Sequence, residues 1–206
     1  MYVPKHFAET ETDVLADVIR SASFSSLVTS KEGIPLGTHL PLYLDIDKGE
    51  HGTLLGHVAK ANDHWKLFDG ETTSLAIFTG INAYIGPSWY RSENTVPTWN
   101  YMAVHAYGKP RNVEDPEAAL TILERLTTAY ENDATDNWTM DKMDQKILLG
   151  MLKGIVAFDM PIERIEGKVK MGQNKKSEDT AGAIEGLRRS DTPMQNAVAD
   201  EMQRRS

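Results

Sequence analysis

The chain has 206 residues, 40% of them hydrophobic, enough for one domain of generous size or two small ones. It contains no cysteine, which excludes disulfides, thiolate metal sites and thiol catalysis; this fits a reducing compartment, although secreted proteins can lack cysteine too. A formal net charge of −8 opposes general attraction to a phosphate backbone and counts against a dedicated DNA-binding domain, leaving a local basic patch as the remaining route. Met1 to Phe7 holds no apolar leader and no apolar run is long enough to cross a bilayer, so a soluble cytoplasmic protein is expected.

Thr10 to Ala22 reads as an opening helix, capped by Thr10 with Asp13 three residues on, and with Leu15, Val18, Ile19 and Ala22 on one face. The period then changes. Phe24 to Thr29 is a short strand candidate, and Lys31-Glu32-Gly33 supplies a turn before a second run, Ile34 to Leu44. Pro35 and Pro41 make that second run an edge or interrupted strand. Thr53 to Ala59, Leu75 to Thr79, Ala83 to Ile85 and Val96 to Tyr107 follow, punctuated by Gly80, Gly86 and Pro87. Short strands separated by turns predict a barrel more than a parallel sheet, with helices on its flanks: a mainly β, α+β class.

Asp115 and Pro116 open a helix with an apolar stripe at Ala119, Ile122, Leu123, Leu126 and Tyr130. A second helix is expected from about Asp141 to Lys153, ending at Gly154. Roughly ten polar residues between them, Glu131, Asn132, Asp133 and Asp136 included, are too many for a helix-turn-helix reading head. Ile155 to Ile165 reads as a closing strand. The remainder is polar, with helical turns expected near Ser177 and Pro193, and Arg188-Arg189 and Arg204-Arg205 read as solvated surface.

Three clusters could carry chemistry. Gly56-His57-Val58-Ala59-Lys60-Ala61-Asn62 sets a cation and an imidazole among small residues, which suits a phosphate approached by backbone N–H groups; an ordinary strand end with a solvated lysine is the alternative. It lacks P-loop spacing. Tyr84 to Tyr90 together with Val96 to Tyr101 and His105 is aromatic enough for a flat heteroaromatic ligand, or for a core or subunit interface. Lys168 to Lys176 is either a solvated basic loop or a segment that recognises anions and amides. No Gly-x-Ser-x-Gly, His-Glu-x-x-His or Rossmann glycine pattern is present, and the histidines show no metal-ligand spacing, Lys60 standing between His57 and His64.

These clusters, in this order, resemble the PaiB-type FMN-binding negative transcriptional regulators. The matching stretches are Met1-Tyr2-Val3-Pro4 with Phe7, Thr38-His39-Leu40-Pro41, Gly56 to Asn62, Ala83 to Tyr90, Val96 to Tyr101 and Lys170 to Lys175. Gly86 and Gly172 stand where serine is expected, and Lys175 where arginine is, which removes a bidentate phosphate contact. The resemblance implies an FMN-binding split β-barrel like that of pyridoxamine-phosphate oxidases over residues 1–176, with residues 177–206 as a polar helical extension. It also implies a cytoplasmic homodimer with FMN at the subunit interface. On that analogy His57, Ala59, Lys60 and Asn62 hold the ribityl phosphate and Thr38 and His39 lie near the flavin. Trp99 and Asn100, or Gln173 and Asn174, reach the same flavin from the partner subunit. DNA or a transcription factor is the implied partner, with action indirect or through a local patch. An FMN-dependent oxidoreductase using NAD(P)H and a small reducible substrate is the rival reading.

Overall fold

Glu32 and Gly33, both at positive φ (53° and 82°), close a tight hairpin that joins β2 (Phe24–Lys31) to β3 (Ile34–Pro41). The computed structural model describes residues 1–131, 135–190 and 192–206; Asn132 and Asp133, part of the polar stretch between the two middle helices, lie outside the described residues. The strands run in the order β3-β2-β6-β7-β9-β5-β4, with β1 (Ala8–Glu9) and β8 (Arg111–Asn112) each paired to β9 (Ile155–Lys170). β3 is therefore an edge strand. The proline rule placed it correctly, and the run breaks at Leu42 before β4 (Tyr43–Asp45).

Contacts divide the chain into two compact units. The first comprises Met1–Ser21, Thr79–Val104 and Glu166–Ser206, the second Ala22–Phe78 and His105–Ile165. The boundary falls inside β6 (Ser74–Ile85), β7 (Thr98–Gly108) and β9. β6 is one strand where the sequence suggested two: Gly80 is a packing glycine, not a turn, for a Cβ there would lie 3.3 Å from Met102 and 3.4 Å from Val18.

In the second unit β5 (Thr53–Ala59), the strand expected at 53–59, pairs antiparallel with β9 from Thr53↔Pro161 to Ala59↔Ile155. Leu27, Leu42, Leu54, Phe68, Phe78, Phe158 and Met160 are fully buried, and the rings of Phe68 and Phe158 meet at 4.6 Å. Gly56 is small because of this core: a Cβ would fall 2.7 Å from Leu42 and 2.9 Å from Phe158, so its smallness serves packing and not the approach of a phosphate. α2 (Pro116–Tyr130) is capped by Asp115, whose carboxylate accepts from Ala118 N–H, and its Ala119, Ile122 and Leu126 pack on Leu55 and Ala157. α3 is shorter than expected, Gln145–Leu152, because Asp144 accepts from both Lys146 and Ile147 N–H and so starts the helix there. Its Ile147 and Met151 are exposed. The carboxylate of buried Asp159 is held by Arg111 (2.5 and 3.1 Å) and Lys48 (3.2 Å).

In the first unit α1 (Thr12–Ser21) buries Leu15, Val18 and Ile19 as predicted, but Thr10 is not its cap. The Glu9 carboxylate instead holds the turn just before the helix, accepting from Thr10 and Glu11 N–H at 3.0 and 3.1 Å. α4 (Ser177–Ser190) and α5 (Pro193–Arg204) follow β9, which runs five residues past the expected Ile165. Arg205 is not solvated surface: it donates to buried Glu9 at 2.9 Å and also pairs with Glu201, tying the end of α5 to the start of α1. Among the described residues no helix is long and apolar enough to cross a membrane.

Candidate functional site

The sequence-predicted residues fall into two groups, one in each unit. In the second unit Thr38 stands on edge strand β3, and Asn62 opens the 3-10 turn Asp63–Leu67 that follows β5. Asn62 does two things with one amide: Oδ1 accepts from His64 N–H at 3.1 Å, and Nδ2 donates to Thr38 Oγ1 at 3.1 Å. Thr38 Oγ1 is in turn 2.8 Å from His64 Nδ1. His64 Nε2 is 2.8 Å from Thr29 Oγ1, and that hydroxyl is 2.5 Å from Ser74 Oγ.

His64, with no exposed surface, is the hub of this chain of hydrogen bonds. Burial lowers its pKa below the ordinary 6.5, so the ring is neutral near pH 7, one nitrogen donating and the other accepting. The sequence reading weighed His64 only as half of a rejected metal pair. The signal it missed is the Asn-x-His spacing, in which an asparagine cap turns the chain so that the imidazole points inward.

Lys60 projects between these groups in sequence, from the end of β5. Its backbone is fixed at both ends, N–H donating to Gly154 O (2.8 Å) and C=O accepting from Trp65 Nε1 (2.9 Å). Its exposed ammonium has no carboxylate partner among the described residues, although this unit holds 18 of the chain's 30 acidic residues and 11 of its 22 basic ones. An unpaired cation two residues before an amide already held in place fits an anionic phosphate. Ala59 is exposed at the strand end, leaving the approach open. His57, on the same strand, is half-buried with Nδ1 buried and unpartnered, and burial lowers its pKa also. His39 is exposed, with Nδ1 2.9 Å from Ser26 Oγ.

In the first unit the aromatic cluster separates into two functions. Trp89 is structural: it lies on α4 over Gly182 and Gly186, where added Cβ atoms would come within 2.1 and 2.2 Å of it. Asp179 of α4 fixes the same loop by accepting from Arg91 and Ser92 N–H, both at 2.8 Å. Trp99, by contrast, is 54% exposed beside Tyr84, 46% exposed, their rings edge to face at 6.1 Å. These exposed faces suit stacking on a flat ring system. Asn100 is buried, its Nδ2 on Met202 Sδ (3.2 Å) and facing Gly172, where a Cβ would lie 3.7 Å away. Gln173 spends its amide on the backbone, accepting from Met171 N–H and donating to Val169 O, each at 2.7 Å. Asn174 is exposed in the same loop. Lys168 and Lys170 belong to β9 and not to a solvated loop: Lys168 is buried over Tyr2 and Tyr101, and Lys170 donates to Trp99 O at 2.6 Å. Burial and the neighbouring Lys168 and Lys175 lower the Lys170 pKa.

Known proteins agree with this architecture. Residues 1–164 match the family described as "Putative FMN-binding domain". The chain is 38% identical over 205 residues to the Protease synthase and sporulation protein PAI 2 of Bacillus subtilis, covering 98% of this chain and 97% of that one. Among solved structures, the flavocytochrome Anf3 from Azotobacter vinelandii superposes with a TM-score of 0.62 at 12% identity, over 82% of this chain and 72% of that one. The FAD and heme binding protein from Mycobacterium smegmatis does so with 0.60 at 13%, over 79% and 73%. At these identities the two structures speak for the fold alone, a flavin-type split barrel. Family coverage and relative together show that the chain belongs to the FMN-binding-domain family that includes the Bacillus PAI 2 protein, and its cofactor is FMN.

Proposed function

We propose that this chain is a cytoplasmic, homodimeric FMN-binding regulator of transcription, with FMN at the subunit interface. His57, Ala59, Lys60 and Asn62 of one subunit surround the ribityl phosphate, and Thr38 and His39 of the same subunit lie on the neighbouring strand near the flavin. Trp99 and Asn174, both exposed, reach the flavin from the other subunit, while buried Asn100 and backbone-bound Gln173 hold the segments that carry them. Residues 1–176 form the cofactor domain and 177–206 an extension to it. The observation that carries the assignment is the Asn62–Thr38–His64 hydrogen-bonded set, which begins two residues after Lys60, an exposed lysine with no ion-pair partner among the described residues. Those side chains are already ordered, so binding a phosphate there orders little besides Lys60. FMN, when bound, supplies the redox chemistry.

The regulatory part of the reading is supported by the relative's name, which concerns protease synthase and sporulation. A chain of charge −8 favours action through a partner or a small-molecule signal over direct reading of DNA. Lys60→Ala tests the site. It removes one charge-assisted hydrogen bond and is expected to weaken FMN binding by about 1.5–3 kcal/mol, read by titration of the flavin fluorescence. Unchanged affinity would move the phosphate elsewhere.

A further inference from the structure

The last stretch of β9 alternates: Val169 is buried in the core, while Glu166, Lys168 and Lys170 take the other parity of the strand. Lys170, the final residue of β9, is half-buried. Its ammonium donates to Thr98 Oγ1 and to Trp99 O (2.6 Å), the first two residues of β7. Both acceptors are neutral. The charge is therefore fixed on the backbone of the residue whose ring is exposed beside Tyr84.

Tying β9 to the start of β7 needs a donor but not a charge. A glutamine amide would do it without repulsion, whereas Lys170 has Lys168 and Lys175 near enough to lower its pKa, after burial itself. Among the described residues no carboxylate pairs with Lys170. Glu166, on the same face of the strand, is taken by the amino group of Met1, and Asp179 of α4 by the Arg91 and Ser92 N–H groups. A desolvated cation kept among like charges, at an exposed indole, is placed for negative charge that arrives with a ligand.

We propose that Lys170 is the group that meets the charge a bound flavin gains on reduction, so that it raises affinity for reduced FMN relative to oxidised FMN. Hydride from a nicotinamide donor, which leaves as its oxidised cation, brings the ring two electrons and one hydrogen and hence one negative charge. The phosphate charge does not change in that reaction, so Lys60 holds both forms alike. Lys170 thereby makes occupancy of the site respond to the supply of reductant, a small-molecule signal of the kind a regulator needs. This rests on the reading of Trp99 as a flavin contact.

The test uses the full chain loaded with FMN, reduced stepwise with dithionite beside a reference dye. Lys170→Gln keeps a donor and removes the charge. It should lower the two-electron potential by about 30 mV, a roughly tenfold loss of preference for the reduced form, which is a charge-assisted contact discounted for partial exposure. Affinity for oxidised FMN, read by flavin fluorescence, should change by about threefold at most. Lys170→Arg should hold the potential, and Lys60→Ala should weaken FMN binding without shifting it. A potential unchanged in both Lys170→Gln and Lys170→Met, with FMN bound, would overturn the inference and leave the cofactor reading standing. So would an equal fall in Lys60→Ala. A wild type that binds FMN in neither redox state would bring down the cofactor reading and this inference together.

Discussion

At the scale of single residues, His64 is the point on which the site depends. Its two ring nitrogens hold Thr38 on β3 and Thr29 on β2, so one buried side chain fixes the hydroxyl that Asn62 also grips. His64→Leu removes one hydrogen-bond partner from each threonine hydroxyl, leaving Thr38 its Asn62 donor and Thr29 its Ser74 neighbour, and should cost about 1–3 kcal/mol of stability, read by urea denaturation. The same residue gives a pH dependence whose sign is fixed. A histidine whose folded pKa is lowered binds fewer protons in the folded than in the unfolded chain at mildly acid pH. Stability is therefore fully present above the unfolded value of 6.5 and falls as pH drops below it, and His57 acts in the same direction. The urea midpoint should decline from pH 7.5 to 5, and His64→Leu should decline less steeply over that range. An equal slope in the variant would assign the titration to other groups. Little of this was legible in the sequence: the Lys60–Asn62 motif was, but the partnership of residues 29, 38, 64 and 74 exists only once β2, β3 and β6 are paired.

At the scale of elements, what the sequence made legible follows the strength of the local signal. The Glu32-Gly33 hairpin, the strand at 53–59 and the Asp115-Pro116 helix start are set by turn residues, a short apolar run and capping within a few residues, and they stand where expected. The misses are tertiary. Gly80 looked like a breaker because its packing partners, Val18 and Met102, are far off in sequence. Glu9 holds the turn before α1 and meets Arg205 from the far end of the chain. The glycines of α4 make the same point with an experiment attached. Helix propensity alone says that Gly186→Ala gains about 1 kcal/mol. The structure says the opposite, since the added Cβ would fall 2.2 to 2.6 Å from the Trp89 ring. Overpacking of this kind costs about 1–3 kcal/mol, so the variant should melt lower than the parent in a thermal scan. A higher melting temperature would show that Trp89 does not sit on α4.

At the scale of the whole molecule, charge and fold pull on the functional reading together. The first unit carries 12 acidic and 11 basic residues, so the acidic excess lies in the second unit, which carries Lys60 and Asn62. Neither unit carries a net positive charge, and two of the first unit's cations are already committed, Lys168 to tyrosine faces and Arg205 to carboxylates. Gel-shift assays at low salt, where phosphate attraction is greatest, should therefore show no retention of promoter DNA by the protein alone. Retention there would mean direct repression. The claim beneath all of this is that the barrel binds FMN as a dimer. The most direct measurement is the visible absorption spectrum of the purified protein before and after adding FMN, recorded across a gel-filtration peak. A flavin spectrum that co-elutes with a dimer, one FMN per chain, is the predicted result. A colourless protein that ignores excess FMN would contradict the account, and the assignments of Thr38, Lys60 and Asn62 would fall with it.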